Sequence, residues 1–122
     1  MSSLHREPPG DLPPEEFRRL AHEVADWIAD YFEGVEELPV SPGVRPGFLR
    51  EALPPAAPEE PESMDAILED FRRLILPGIT HWNHPSFHAW FAISGSGPGV
   101  LGEMIAAALN VNACLLYTSP SP

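Results

Sequence analysis

Residues 77–104 read PGITHWNHPSFHAWFAISGSGPGVLGEM, and the order of prolines, glycines and aromatic residues in this stretch decides the organisation of the chain. Pro77 and Gly78 end the helical pattern that precedes them, because proline cannot continue an α-helix and glycine commonly follows its last turn. Residues 81–93 are rich in aromatic side chains and are interrupted by Pro85, which favours a loop or a short strand. The stretch therefore predicts a helix end followed by an aromatic segment.

The sequence beyond this aromatic segment predicts a flexible turn and then a helix. Residues 94–97 alternate serine and glycine, and Pro98 suits the first turn of a helix, where its missing N–H removes no hydrogen bond. The apolar residues that follow recur at spacings of three and four, which is the period of one helix face. They are Val100, Leu101, Met104, Ile105, Ala108 and Leu109.

Two further helices are predicted on the N-terminal side of the stretch. The first begins after Asp11, a capping residue, has Pro13 and two glutamates in its first turn, and ends at Gly34. The second begins at Ser63 and has Asp65 in its first turn. Their apolar faces are Phe17, Leu20, Ala21, Val24, Trp27, Ile28 and Tyr31 in the first helix, and Met64, Ile67, Leu68, Phe71, Leu74 and Ile75 in the second.

A proline-rich segment, residues 38–61, joins these two helices. Prolines at this density keep the backbone extended and remove its donors, so the segment is predicted to be an irregular strap. The predicted fold class of the chain is mainly α, with three amphipathic helices and this strap, and residues 1–10 are predicted to be disordered. A chain of this size offers little surface to cover the strap and the apolar faces. We therefore expect it to dimerise, to be the front end of something larger, or both.

The charge of the chain excludes several classes of partner. Its 122 residues include 18 acidic and 7 basic ones, for a net charge of −11. Nucleic acid and anionic membrane surfaces would be repelled, so neither is expected as a partner. Every basic residue is an arginine, and the absence of lysine excludes Schiff-base chemistry by these residues alone.

The remaining composition predicts a soluble, cytoplasmic protein. The single cysteine, Cys114, cannot form an internal disulfide, so nothing requires an oxidising compartment. Residues 1–10 lack the apolar run of a signal peptide, and no apolar run approaches the ~20 residues of a membrane-spanning helix.

A set of ordered segments carries a family resemblance. They are EFR at 16–18, VRPGFL at 44–49, PAAPEEP at 55–61, PGITHWNHP at 77–85, FHAWF at 87–91, PGVLGEM at 98–104 and NVNA at 110–113. Together they resemble the N-terminal region of the group II pyridoxal-phosphate-dependent decarboxylases, the family of the aromatic-L-amino-acid decarboxylases. The resemblance implies that residues 11–113 are the N-terminal helical segment of such an enzyme, a homodimer whose N-terminal helices pack against the partner subunit.

The resemblance also implies a fold, a cofactor and a reaction. The full-length protein would have the α/β fold of the aspartate-aminotransferase type, would use pyridoxal 5′-phosphate, and would decarboxylate an aromatic or related L-amino acid to CO2 and an amine. In the family, the lysine that holds the cofactor, the aspartate at its ring nitrogen and the histidine over its ring lie further along the chain. No catalytic or cofactor-binding residue is therefore expected here, and the fragment alone is expected to be inactive.

Substrate-binding residues are implied in and after the aromatic segment. They are Trp82, Trp90, Phe91, Ala92, Ile93 and Asn112, the last reaching the pocket from the neighbouring subunit in the family. Ala92 and Ile93 stand where many members have proline and threonine, and Trp90 stands where many have tyrosine. These departures leave the choice of amino acid open.

The last nine residues, CLLYTSPSP at 114–122, do not continue the helical pattern. The codons TGT-CTC-TTA-TAC-ACA-TCT-CCG-AGC-CCA would encode these nine residues, and that string resembles the transposon adapter used to prepare short-read sequencing libraries. We expect the native sequence to be interrupted after Ala113 and continued by adapter. The alternative is a genuine tail, because family members continue with a Ser-Pro-Ala stretch that aligns with Thr118, Ser119 and Pro120.

Two further features of the sequence could suggest other classes of function. His81, His84 and His88 could suggest a metal site. Pro85 breaks any helix between them and no acidic or cysteine ligand lies at a useful spacing, so no metal is predicted and structural hydrogen bonds are favoured. Residues 94–97 precede a helix, as phosphate-binding loops do, but no strand precedes them and no lysine follows. The alternative function is a stand-alone helical dimerisation module without chemistry.

Overall fold

The computed structural model describes residues 12–90, 93 and 95–110. These residues form α1 (Pro14–Gly34), α2 (Phe48–Ala52), α3 (Met64–Asp70) and α4 (Gly97–Leu109), and none of them lies in a strand. The chain divides into two compact units, Met1–Phe87 and His88–Pro122. The predicted mainly α class and the three predicted helices are confirmed, and α2 is an additional short helix within the strap.

The first helix, α1, ends where the sequence predicts but begins differently. Pro13 occupies the position before its first residue, and its side chain has no group that could cap the helix. Asp11 itself lies outside the described residues. Glu15 and Glu16 lie in the first turn, where carboxylates favour the positive end of the helix dipole. After Gly34 the chain tightens into a 3₁₀ turn, Val35–Glu37.

The strap contains α2 because its local sequence can start a helix abruptly. Gly47 precedes the helix with φ of +90°, a left-handed backbone conformation that glycine adopts without strain. Arg45 Nη1 donates to Glu51 Oε1 at 2.8 Å, which joins the residues before the helix to its last turn. The strap therefore has local structure that its proline content did not reveal.

The third helix, α3, confirms its predicted start and changes form before its end. The Ser63 hydroxyl accepts a hydrogen bond from the Ala66 N–H at 3.2 Å, as expected of an N-cap. Beyond Asp70 the helix widens into a π-helical turn, Phe71–Ile75, and closes with a 3₁₀ turn, Leu76–Gly78. Pro77 has no N–H for the carbonyl four residues earlier, so the regular α-helical pattern cannot continue.

The core of the first unit is small and lies between α1 and the segment 64–75. Its buried apolar residues are Leu20, Val35 and Leu74, with exposed fractions of 4%, 6% and 6%. Trp27 packs edge-on against Phe71, with ring centroids 5.1 Å apart. Beside this contact lies an apolar groove of about 250 Å³, lined by Val24, Trp27, Ile28, Leu68, Phe71 and Arg72.

Ion pairs at the rim of this core also join α1 to the segment 64–75. Arg19 Nη2 lies 2.8 Å from Asp65 Oδ2, and Arg72 Nη2 lies 2.7 Å from Glu23 Oε1. Water reaches all four side chains, so each pair contributes at most about 1 kcal/mol. Packing of the apolar face, rather than these pairs, supplies most of the stability of the contact.

In the second unit, α4 begins one residue before its predicted start. The Ser96 hydroxyl accepts a hydrogen bond from the Gly99 N–H at 3.2 Å and caps the helix, and Pro98 lies in its first turn. Asn110 ends it in the left-handed conformation, with φ of +47°. Its large apolar side chains are exposed, Leu101 and Leu109 by 62% and 64%. Within the described residues, no helix has the length and apolar character needed to cross a bilayer.

Candidate functional site

The aromatic segment of the first unit folds as two consecutive turns, which we call the aromatic turn (residues 81–87). The His84 N–H donates to the His81 carbonyl at 3.0 Å, and the Phe87 N–H donates to the His84 carbonyl at 2.9 Å. This geometry brings the rings of Trp82 and Phe87 into a stack, with centroids 6.1 Å apart and planes 18° from parallel. The side chain of Trp82 is 51% exposed.

A buried histidine fixes the start of the aromatic turn. His81 is 3% exposed, its backbone N–H donates to the Val40 carbonyl at 3.0 Å, and its Nδ1 lies 3.0 Å from the hydroxyl oxygen of Tyr31. The Asn83 side chain also hydrogen-bonds to that hydroxyl. With Asn83 donating to the Tyr31 oxygen, the tyrosine O–H is left to donate to His81 Nδ1, which requires a neutral imidazole.

Burial sets the ionisation of both rings. It lowers the pKa of His81 below its ordinary 6.5, and the neighbouring His84 acts in the same direction. Burial raises the pKa of Tyr31 above 10.0, against the smaller opposing effect of the hydrogen bond from Asn83. The neutral form of each side chain, which the hydrogen bonds between them use, is therefore the favoured one.

Both ring nitrogens of His84, the second histidine of the turn, form hydrogen bonds. His84 Nδ1 accepts a hydrogen bond from the Ser86 N–H at 2.9 Å, and His84 Nε2 donates to the Glu36 carbonyl at 3.2 Å. One neutral tautomer satisfies both bonds. His81 and His84 thus have the structural roles that the sequence favoured. Among the described residues, no group of three or more histidine, cysteine or acidic side chains is placed to hold a metal ion.

The depressed pKa of His81 predicts that the first unit loses stability in acid. The unfolded histidine binds a proton near its ordinary pKa of 6.5, whereas the folded one resists protonation. Below about pH 6.5 the unfolded state therefore holds more protons, and the free energy of unfolding falls until the pH passes below the folded pKa. Hydrogen exchange of the α1 amides, measured between about pH 7.5 and 5.5 and corrected for the intrinsic rate, reports this loss.

The control for this prediction is His81→Gln, which keeps a hydrogen-bond acceptor without a titrating group. We expect this variant to lose most of the acid dependence, while His88→Gln, at an exposed position, keeps it. An acid dependence that persists undiminished in His81→Gln would contradict the assignment.

The other sequence-predicted site residues are distributed over the two units. Trp82 belongs to the first unit, and Trp90 and Ile93 belong to the second, with exposed fractions of 55% and 95%. Phe91, Ala92 and Asn112 lie outside the described residues. The substrate-binding role of all six therefore stays a prediction.

Sequence reasoning missed Tyr31 and Asn83 as parts of this site. The position of Tyr31 on the apolar face of α1 predicts packing, and its ring does stack on Trp27 with centroids 5.4 Å apart. A tyrosine at the end of an apolar face has a hydroxyl that needs a hydrogen-bond partner, and this was the one signal in the sequence that pointed to a further role for Tyr31. The partners, 50 and 52 residues further along, had no local signature.

Comparisons with known proteins agree with this architecture. Residues 46–122 match the model of the pyridoxal-dependent decarboxylase conserved domain. Tyrosine decarboxylase 4 of Petroselinum crispum is 49% identical over 114 residues, which cover 93% of this chain and 22% of that protein. Phenylacetaldehyde synthase of Petunia hybrida is 48% identical over 110 residues, which cover 90% of this chain and 22% of that protein.

A solved structure extends the agreement to three dimensions. The crystal structure of Catharanthus roseus tryptophan decarboxylase in complex with L-tryptophan superimposes with a TM-score of 0.74 at 46% identity, covering 81% of this chain and 21% of that one. The structural neighbours have the aspartate-aminotransferase fold type, and the helices described here superimpose on part of one of them. The chain belongs to the pyridoxal-dependent decarboxylase family. It spans about a fifth of the length of the curated relatives it matches.

The residues of this chain do not fit the cofactor of that family. The chain contains no lysine to bind the cofactor aldehyde. The described groove beside Trp27 is apolar, and Arg72, its one cationic group, is paired with Glu23. The described residues around this groove therefore provide neither a covalent anchor nor an unpaired cation for the cofactor phosphate.

Proposed function

We propose that the complete protein is a pyridoxal-phosphate-dependent lyase that decarboxylates an aromatic or related L-amino acid to CO2 and an amine. The observation that carries this proposal is 49% identity to a tyrosine decarboxylase over 93% of the chain. The aspartate-aminotransferase fold type of the structural neighbours agrees with it. The described residues then contribute a wall of the substrate site, and the covalent chemistry belongs to other parts of the protein.

The role proposed for the aromatic turn is recognition of the substrate side chain. The exposed face of Trp82, supported by Phe87, is a flat apolar surface on which an aromatic ring can stack and from which it excludes water. Such a contact orients the substrate but transfers no proton, since neither side chain ionises. On the strength of the family resemblance we also assign substrate-binding roles to Trp90, Phe91, Ala92, Ile93 and Asn112.

Substitution of Trp90 is expected to change the choice of substrate. In the complete protein, Trp90→Ala should alter the ratio of kcat/KM for tyrosine and tryptophan by about tenfold, because one large apolar contact discriminates between ligands to that extent. Binding of the cofactor, followed by its absorbance, should change by less than about twofold. Phe17→Ala, which removes an aromatic ring that is 54% exposed on α1, is the matched control. Loss of the cofactor with an unchanged ratio would contradict the prediction.

We also propose that the complete protein is a cytoplasmic homodimer that uses the N-terminal helices as part of its interface. The exposed apolar side chains of α4 and the apolar groove beside Trp27 support this proposal. Apolar surface that is left exposed to water favours association with another chain. Light scattering coupled to size exclusion gives the mass of the complete protein, and a monomer would contradict it.

We further propose that residues 114–122 are translated adapter. Sequencing the source DNA beyond the Ala113 codon tests this directly. A frame that continues and encodes the cofactor lysine supports the lyase, and the protein expressed from it should release CO2 and amine from an aromatic L-amino acid. Aldehyde should be assayed in parallel, because one of the relatives is named as an aldehyde synthase. Source DNA that encodes residues 114–122 and then stops would favour the alternative, a dimerisation module without chemistry.

A further inference from the structure

The residues on both sides of Trp82 are bonded to one side chain of α1. Tyr31 approaches His81 Nδ1 at 3.0 Å, and its hydroxyl oxygen also takes a hydrogen bond from the Asn83 side chain. The hydroxyl therefore bridges the residue before Trp82 and the residue after it. The indole between them is 51% exposed, so neighbouring side chains alone do not enclose it.

The backbone around this bridge is held at further points. The His81 N–H donates to the Val40 carbonyl at 3.0 Å, and His84 Nε2 donates to the Glu36 carbonyl at 3.2 Å. These bonds anchor the turn to the strap and to the 3₁₀ turn that follows α1. The direction of the Trp82 side chain depends in addition on the backbone torsions at residues 81–83, and the Tyr31 hydroxyl holds this tripeptide from both ends.

We propose that Tyr31 is a positioning residue for Trp82 and acts through His81 and Asn83. The inference rests on the proposed function, since it takes Trp82 as a wall of the substrate pocket, and it adds the residue that orients that wall. Without the hydroxyl, the buried His81 Nδ1 loses the donor at 3.0 Å and the Asn83 side chain loses one of its contacts, so the turn rearranges to satisfy the buried nitrogen. The tyrosine ring is a separate element, because it stacks on Trp27 through its face.

The variant that isolates the hydroxyl is Tyr31→Phe, which retains the ring. In the complete protein we expect KM for the aromatic substrate to rise about tenfold while kcat changes by less than about twofold, because binding orientation rather than chemistry is affected. In a Trp82→Ala background the same substitution should have no further effect on KM. The control is Ser63→Ala, which removes the hydroxyl that caps α3 and should leave KM unchanged.

A second measurement does not depend on activity. With fluorotryptophan incorporated into the complete protein, the ¹⁹F resonance of Trp82 is identified by its loss in Trp82→Phe. Tyr31→Phe should broaden or split this resonance, and Ser63→Ala should leave it single and sharp. An unchanged Trp82 resonance in Tyr31→Phe, or a KM increase that persists in full without the indole, would overturn the positioning role. Absence of activity in the unmodified protein would contradict the proposed function instead, and the ¹⁹F resonance then decides the positioning role by itself.

Discussion

The 122-residue chain by itself is expected to release no more CO2 from an aromatic L-amino acid than free pyridoxal phosphate does in buffer, whereas the complete protein is expected to be active. The reason is chemical. Enzymes that use this cofactor hold it on a lysine amine, and this chain has no lysine. The described residues also offer no unpaired cationic group beside the apolar groove to bind its phosphate. We therefore expect the isolated chain to lose decarboxylase activity completely, rather than by a few fold.

Release of labelled CO2 from an aromatic L-amino acid that is labelled in its carboxyl group tests this prediction, with cofactor alone as the control. Borohydride treatment followed by mass spectrometry gives a second measurement, because it fixes any bond between the cofactor aldehyde and an amine of the protein. We expect modification at the amino terminus at most. Release of CO2 above the level of free cofactor, or modification at an internal position, would show that the chain contains chemistry that its composition excludes.

Replacement of Leu74 by alanine is expected to weaken the first unit by about 3 kcal/mol, the usual cost of removing a buried leucine side chain. Leu74 is 6% exposed and lies in the π-helical turn that follows α3, against the core shared with α1. Loss of its side chain leaves a cavity that the surrounding turn cannot fill without leaving its hydrogen-bonded geometry. In the complete protein, hydrogen exchange of the α1 amides should then accelerate about a hundredfold.

The matched control is Leu53→Ala, which removes the same atoms from a side chain that is 40% exposed at the end of α2. We expect Leu53→Ala to lower the free energy of unfolding by less than about 1 kcal/mol, because much of the removed side-chain surface is already exposed to water. Equal acceleration of exchange in the two variants would indicate that Leu74 is not part of the core that holds α1.

Most of the helical structure was predictable because its causes are local. The spacing of apolar residues in α1 and α3, the Ser63 cap and the helix end at residues 77 and 78 all act within one or two turns of the chain. What escaped prediction depended on more distant groups or on uncommon geometry. The short helix α2 begins after Gly47, whose backbone is left-handed. The π-helical turn lies between α3 and Pro77, a residue that cannot continue the α-helix.

The sequence predicted the hydrogen-bonding roles of His81 and His84, because an aromatic segment interrupted by proline does not form regular structure. Trp82 was singled out by the family resemblance, and its substrate-binding role stays a prediction. The sequence pattern did not connect Tyr31 with His81 and Asn83. That bridge spans 50 residues, so no periodicity or short motif could report it.

The amino-acid sequence by itself determined the helical class, the family and the absence of a cofactor anchor, because these follow from local periodicity, ordered motifs and the lack of any lysine. The tertiary structure alone decided which hydrogen bonds hold the aromatic turn and that burial favours the neutral form of His81. Burial of His81 against the Tyr31 hydroxyl results from packing α1 beside the turn. The energy of a buried hydrogen bond depends on the distance in space between its donor and its acceptor. Residue order along the chain does not specify that distance.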